Sequence, residues 1–537
     1  MDKNTIEEKT IDVSKGVAML KERNNRPVSK GLLQGIVEDR PDEFTLNTDQ
    51  VDAMSDYVKK AFTAGYDINP KTQQDGGALK VESLETQLKQ WTYGTNNLTL
   101  YADLLQQGTI KTNSTVLQYP VFEQHGRVGH SQFQPEIGLT NVTGPNIRKK
   151  SLNMKYLTQV MQVSYPMQHT ATFADVDTIL LNDAVTALSK TIEWAAFYGD
   201  ASLSGVEGQE GLEFDGLSKL IDADNHFDVR GAQLTPELFN RAATAIGERG
   251  FGTATDAYMP ISAYADFANQ FLGAQRISMN ASTGQISAGN VVDEFVSANG
   301  RVKLHSSAVM QLDNVLPERA IRLNAETPAP PLVKAEVVKD AGGKFMKKPD
   351  DPKADFDPAF LDAGVEQSYK VVLVNNFGDS LPSQEVKATP ADPTDGVKLT
   401  ISFTTTAKGG ITYAAVYRKC AVDNKYYLIK RVPSTGVDDQ GQIIFTDLDE
   451  TIPGTVDVFI GERRLDTIGL AEFIPMCLLP FAPVNTASQS AVYWGGALAL
   501  YRPKCWVQLH NVRTTYFAPL NENHMTGVTM YGYGATR

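Results

Sequence analysis

Thr172-Phe-Ala-Asp-Val-Asp-Thr-Ile-Leu-Leu-Asn-Asp-Ala-Val-Thr-Ala-Leu-Ser-Lys-Thr-Ile-Glu-Trp-Ala-Ala-Phe-Tyr-Gly-Asp200 is the stretch whose periodicity decides the fold. Val176, Leu180, Ala184, Leu188, Ile192 and Ala195 recur at helical spacing and share one face. Thr172 and Asp175 have the spacing of a capping box, in which hydroxyl and carboxylate each take an orphan amide. Gly199 supplies a stop after Tyr198. The pattern predicts a helix over 173–198, a rod of roughly 35–40 Å at about 1.5 Å per residue. That exceeds the ordinary helix of about three turns. A helix this long braces something broad.

On the N-terminal side, residues 115–122 read as a strand. Residues 123–146 are rich in Gly, Gln and His, with few apolar side chains. Residues 151–163 return as a second strand with Leu152, Met154 and Tyr156 on one face. The whole of 115–163 is thus a protruding hairpin with a long polar tip. An isolated hairpin is marginal in water, so its support is expected from a neighbouring subunit. Residues 1–90 are polar and charged, with a break at Gln73-Gln-Asp-Gly-Gly77, and read as an N-terminal arm.

On the C-terminal side, 199–216 is glycine-rich and ends in Gly211-Leu-Glu-Phe-Asp-Gly216. Thr235-Pro236 starts a helix with proline at its first position. Leu238, Ala242, Ala245 and Ile246 are its expected buried stripe, and Gly247 and Gly250 its end. A short buried strand at 257–260 and a helix at 262–272 follow. This series gives a compact α+β block from about 235, within a first core segment spanning 91–328.

The texture changes near Thr327. Pro-Ala-Pro-Pro is followed by a run of Lys, Asp, Gly and Pro through Asp357 that reads as a linker. Beyond it Tyr369, Val371 and Leu373 alternate with Lys370, Val372 and Val374, and Leu399, Ile401 and Phe403 alternate with polar residues. Further strands are expected at 411–417, 426–431 and 442–447. Short strands separated by turn signals describe a β-sandwich, placed at 329–455 as an inserted domain. The earlier style returns in 456–537, with apolar stretches at 468–480, 491–501 and 507–512 and a Tyr/Gly-rich tail. The insertion therefore splits one domain into two sequence segments.

Composition narrows the function. Of 537 residues, 42% are hydrophobic and 21% charged, enough for a sizeable core. A formal net charge of −13 argues against a dedicated nucleic-acid grip, which needs clustered Lys and Arg. Cys420, Cys477 and Cys505 have neither disulfide-framework nor zinc spacing and fit a reducing compartment. There is no apolar signal core at the N-terminus and no membrane-length apolar run, so the expectation is cytoplasmic synthesis. The sequons at Asn97, Asn113, Asn141 and Asn280 are then idle.

No P-loop, dinucleotide fingerprint, HExxH or GxSxG occurs. His125 and His130 on the hairpin tip lack a nearby cysteine and read as solvated or interface residues. Asp350, Asp351, Asp355 and Asp357 match no calcium loop and are interleaved with lysines, as in a solvated linker. Glu193 and Asp200 flank the helix end, where Glu193 is expected in a structural or subunit-contact salt bridge. Trp194 and Phe197 are expected in core or interface packing, and Lys149 and Lys150 as ordinary surface charges. No residue is assigned as catalytic, cofactor-binding or metal-binding, and no cofactor is expected.

The strand at 151–163, the helix end Thr191-Ile-Glu-Trp-Ala-Ala-Phe-Tyr-Gly-Asp200 and the following Gly211-Leu-Glu-Phe-Asp-Gly-Leu217 together resemble tailed-bacteriophage major capsid proteins. The resemblance covers about 95–320 and 463–535. It implies an α+β fold shared with encapsulins and herpesvirus capsid floors: N-terminal arm, extended loop (115–163), spine helix (173–198), peripheral domain and axial domain. The insertion at 329–455 departs from the simplest members. Within it, Tyr369-Lys-Val-Val-Leu-Val-Asn-Asn-Phe-Gly-Asp-Ser380 and Tyr413-Ala-Ala-Val-Tyr-Arg418 resemble strands of fibronectin type III or immunoglobulin-like modules, in a permuted order.

The resemblance implies a structural protein, not an enzyme, that assembles with itself as hexamers and pentamers into an icosahedral head shell around double-stranded DNA. Assembly would take place in the host bacterial cytoplasm, without a membrane, with scaffolding, portal and decoration proteins as further partners. Two other readings are an encapsulin-like compartment and a hydrolase or carbohydrate-binding protein with a fibronectin-like module. The long arm and the β-sandwich favour the phage reading over the first. The missing catalytic constellation counts against the second.

Overall fold

The computed structural model describes residues 98–515 apart from 125–135, 138–143, 170–175, 205–208, 272–277, 280–285, 288–291, 312–313, 317–326, 340–360, 362–363, 393–394, 404–409, 422, 436–440 and 482–486. The N-terminal arm, the capping box at 172–175, His125, His130, the four linker aspartates and the chain beyond 515 lie outside the described residues.

Two sheets carry the main body, and each draws strands from both sides of the 329–455 stretch. One has the order Ile110–Lys111, Ile468–Pro480, Ala487–Leu500, Lys155–Ser164. The other runs His226–Asp228, Trp506–Val512, Val456–Gly461, Asp256–Pro260, Gly300–Ser307, Glu294–Ser297. Helices lie beside these sheets rather than alternating with parallel strands, which makes the architecture α+β.

The long helix spans Val176–Tyr198. Its 23 residues make a rod of about 35 Å. Ala184 and Leu188 pack on Met161 and Val492 of the four-stranded sheet. Further on, Ile192, Ala195, Ala196 and Phe197 enter a larger core with Trp494, Leu498, Tyr258, Phe459 and Trp506. The expected stripe is thus deepest in its C-terminal half. Gly216 crosses directly over the helix end: a Cβ there would lie 2.5 Å from the Ala195 carbonyl oxygen and 2.7 Å from the Gly199 amide.

The expected strand at 151–163 is two strands. Asn146–Asn153 pairs with Val116–Gln124 to make the hairpin, while Lys155–Ser164 pairs with Ala487–Leu500. Met154, buried at the break, donates its amide to the Thr115 carbonyl. The chain changes partner there, so Leu152 and Tyr156 belong to different sheets. Sequence alternation continues across such a switch, because both strands keep a two-residue side-chain period.

Pro236–Gly250 is a helix whose Thr235 hydroxyl accepts the Leu238 amide at 3.3 Å, as its N-cap spacing requires. Its stripe is corrected in one place: Leu238 is half-buried, and Phe239 is the fully buried anchor. The Phe239 ring stacks on Phe267 at 5.3 Å and meets Phe295 edge-on at 4.9 Å. Gly247 lies inside the helix, which ends at Phe251 in a left-handed conformation.

Within residues 329–455, Leu332–Val338, Gly396–Ser402 and Ile443–Asp447 form one sheet. Gly378–Asp379, Gln367–Asn375, Tyr413–Lys419 and Tyr426–Pro433 form another, with Val386–Ala388 also paired to Gln367–Asn375. Tyr369, Val371, Leu373, Leu399, Ile401, Val416 and Ile443 fill a core common to both. Leu332–Val338 falls where the sequence reads as linker. It is an edge strand, with Val333 and Ala335 packed on the core and Lys334 and Glu336 exposed.

Candidate functional site: the assembly elements

The base of the hairpin is anchored on the main body. Leu117 and Leu152 pack against the main core, and Tyr119 meets Tyr501 edge-on at 4.8 Å. Farther out, Phe122 stands directly opposite Ile147, and the two are 60% and 51% exposed. Arg148, Lys149 and Lys150 on the returning strand are exposed as well. A cross-strand apolar pair left in water is an energetic cost to the isolated subunit and a gain once covered.

The helix end is built the opposite way, from buried polar groups with defined partners. Glu193 is fully buried. Its carboxylate accepts the Thr99 amide at 2.8 Å, the Thr99 hydroxyl at 2.7 Å, the Tyr101 amide at 2.9 Å and the Ser307 hydroxyl at 3.3 Å. These amides open the helix Leu100–Gln107, so Glu193 is an N-terminal cap supplied from a distant helix. The expected salt bridge is therefore corrected: the partners are helix-start amides and hydroxyls. Burial raises the Glu193 carboxyl above its ordinary value, although the amide bonds oppose it. Phe197 is core, as expected.

Asp200 pairs with Lys219 at 3.2 Å and accepts the Ser202 hydroxyl and amide. Burial pushes its carboxyl up, but these bonds and the ammonium outweigh it and hold it below the usual range. A cleft of about 250 Å³ opens beside it, lined in part by Trp194, Tyr198, Lys219, Arg431, Asp457 and His510. Its cations already face carboxylates: Lys219 on Asp200, Lys430 on Glu450, Arg431 on Glu213 and His510 on Asp457. Chemically this is a matched polar seam.

A second buried knot joins residues far apart in sequence. Asp103, Asp256 and His305 bring ligand-type atoms within 4.8 Å of one another. The arrangement could hold a cation, but Arg463 already supplies one, 3.2 Å from Asp256 and 3.5 Å from Asp103. Tyr258 donates to Asp103 at 2.8 Å and stacks on His305 at 4.7 Å. Burial raises the Asp256 carboxyl, yet His305, Thr255 and Arg463 bring it below the usual range. Sequence reading missed this knot, since no local spacing links four residues drawn from separate elements. None of the three cysteines forms a disulfide among the described residues, and Cys420 and Cys505 are buried.

The chain is 42% identical over 463 residues to the major capsid protein of Staphylococcus phage S25-3, covering 86% of this chain and 96% of the relative. The chain belongs to the phage major capsid proteins. The major capsid protein of Staphylococcus phage K matches with the same identity and coverage. The family model for the SU10 major capsid protein matches residues 139–324. Among solved structures, the capsid of Myoviridae phage XM1 aligns with a TM-score of 0.38 at 8% identity, over 80% of this chain and 97% of that one. The holo-SrpI encapsulin complex from Synechococcus elongatus PCC 7942 aligns with a TM-score of 0.36 at 8% identity, over 80% and 94%. The family assignment rests on the sequence relatives.

Proposed function

We propose that this capsid protein assembles with itself as hexamers and pentamers into an icosahedral phage head shell that encloses double-stranded DNA. The observation that carries the reading is the hairpin, whose base is anchored and whose outer apolar pair faces water. In a shell, the hairpin of one subunit would lie on the next and cover Phe122 and Ile147. Many modest contacts per subunit then add by multivalency into a durable wall. Residues 1–90 would reach other subunits as an arm, and 329–455 would be an inserted immunoglobulin- or fibronectin-like domain. Scaffolding, portal and decoration proteins are the further partners this reading calls for. An acidic wall suits packaging, since a strongly basic one would hold the genome fast. The role is structural rather than enzymatic, in the virion, after assembly in the bacterial cytoplasm.

The encapsulin-like alternative is not favoured, because the relatives of high identity are phage capsid proteins. Electron microscopy of the purified full chain, with light scattering alongside, tests the proposal. Capsomers, tubes or closed shells support it. A strictly monomeric species at all concentrations, with scaffolding protein supplied, would sink it.

A further inference from the structure

Strand Tyr426–Pro433 of the sandwich lies against the C-terminal turn of the long helix, and Arg431 is the point of contact. Its guanidinium holds both oxygens of Glu213, at 3.0 and 2.8 Å, and donates to the carbonyl of Tyr198, the last helical residue. The same group sits 4.8 Å over the Trp194 ring and 5.7 Å from the Tyr413 ring. Helix ends carry partial negative charge on their free carbonyls, so a cation there is favourable, and a planar fork adds direction.

The attachment is repeated around this point. Asn314 accepts the Leu428 amide at 2.8 Å and Leu316 donates to Tyr426 at 2.8 Å, so a core segment extends the edge of the sandwich strand. Where the chain leaves the sandwich, Arg230 donates to the Asp449 carbonyl at 2.9 Å and Asn511 to the Glu450 carbonyl at 2.8 Å. Asn511 also accepts the Ile452 amide at 2.9 Å. Arg230, Asp449 and Asn511 all hold left-handed backbone, with φ of 53°, 62° and 58°. Such conformations persist in non-glycine residues where the surroundings over-determine them. A domain that merely decorated the shell would need two linkers and none of this.

We propose that the sandwich is a clamp on the C-terminal end of the long helix, with Arg431 as its positioning residue. The clamp presupposes that 329–455 is the inserted domain described above. It makes the insertion part of what holds the subunit in its shell-building shape.

Hydrogen exchange read by mass spectrometry on the full chain tests this. In Arg431→Ala, amides of residues 193–198 should exchange roughly tenfold faster or more, the scale of losing a buried charge-assisted bond. Strands Gln367–Asn375 and Tyr413–Lys419 should keep their protection. Arg431→Lys, which keeps the charge and loses the fork, should fall between. Glu213→Gln attacks the same clamp from the core side and should reproduce the effect with the sandwich intact. Unchanged exchange at the helix end in both Arg431→Ala and Glu213→Gln would overturn the proposal. So would an equal rise in Lys387→Ala, which breaks the exposed Lys387–Glu366 pair away from the clamp. A wild-type chain that never forms shells would count against the shell role and leave this exchange result standing.

Discussion

The hairpin and the long helix's C-terminal end are neighbours in sequence but opposites in energetics. At the helix end, Glu193, Asp200 and Arg431 each have several partners on separate elements, and the stabilisation is complete within one subunit. On the outer hairpin, Phe122 and Ile147 are exposed, and the shell proposed above would cover them with a neighbouring subunit. The contrast separates what folds the subunit from what joins subunits. A change at the helix end should act on stability before assembly begins. A change on the hairpin should act on assembly with little effect on stability.

The largest loss of subunit stability is expected at Glu193. Glu193→Ala would leave the buried Tyr101 amide and the half-buried Thr99 amide without their acceptor, and unsatisfied buried groups cost about 1–3 kcal/mol each. A destabilisation of about 3 kcal/mol or more is expected in urea unfolding of the unassembled subunit. Glu193→Gln should recover only part, because its new N–H group would face other donors. A variant within about 0.5 kcal/mol of the parent would show that the cap is dispensable and weaken the contrast.

A smaller effect should follow pH. His510 faces Asp457 through Nδ1, and its Nε2 lies 3.2 Å from the Glu450 carbonyl and 3.3 Å from the Thr451 hydroxyl. Burial pulls its pKa down, but Asp457, with Asp228 and the Glu450 carbonyl, outweighs this and leaves it above 6.5. A raised folded-state value means the imidazolium stabilises the fold fully below about pH 6.5 and progressively less as pH rises through the folded pKa. As pH rises from 6.5 through the folded pKa, the subunit should therefore lose stability that His510→Asn does not lose. Parallel pH–stability curves for the two proteins would remove His510 from the account.

How much could be read in the sequence divides along a similar line. The helix over 173–198, the Thr235-Pro236 start and the alternation of Tyr369, Val371 and Leu373 are local signals, and the structure realises each, the helix from Val176. What escaped is non-local. Strand Leu332–Val338 carries Lys334 and Glu336 on its exposed face, so its composition imitates a linker and only pairing with Gly396–Ser402 reveals it. The partner switch at Met154 leaves the alternation intact and so leaves no mark in the pattern. Glu193 was singled out, but its acceptor role depends on Thr99 and Tyr101, over ninety residues away in the chain. The Asp103–Asp256–His305–Arg463 knot has no local signature at all.

The smallest effect on subunit stability, and the sharpest test of the contrast, belongs to the hairpin. Phe122 and Ile147 are more than half exposed, so replacing both by Asp removes little burial within the subunit. Surface changes of this sort usually stay within about 0.5 kcal/mol; the two carboxylates placed directly opposite add a small, solvent-screened repulsion, so the unfolding midpoint of unassembled Phe122→Asp/Ile147→Asp should fall only slightly. Assembly should respond differently. If the pair is covered by a neighbour, each subunit would bury a carboxylate in place of an apolar ring or chain, and burying an unpaired charge is strongly unfavourable. The penalty recurs at every copy, so shell yield by light scattering should collapse while the fold persists. Normal shells from the double variant would leave the hairpin uncovered and move the joining role elsewhere. An unfolding midpoint that fell together with the yield would mean that the outer hairpin supports its own subunit, and the two regions would no longer be opposites.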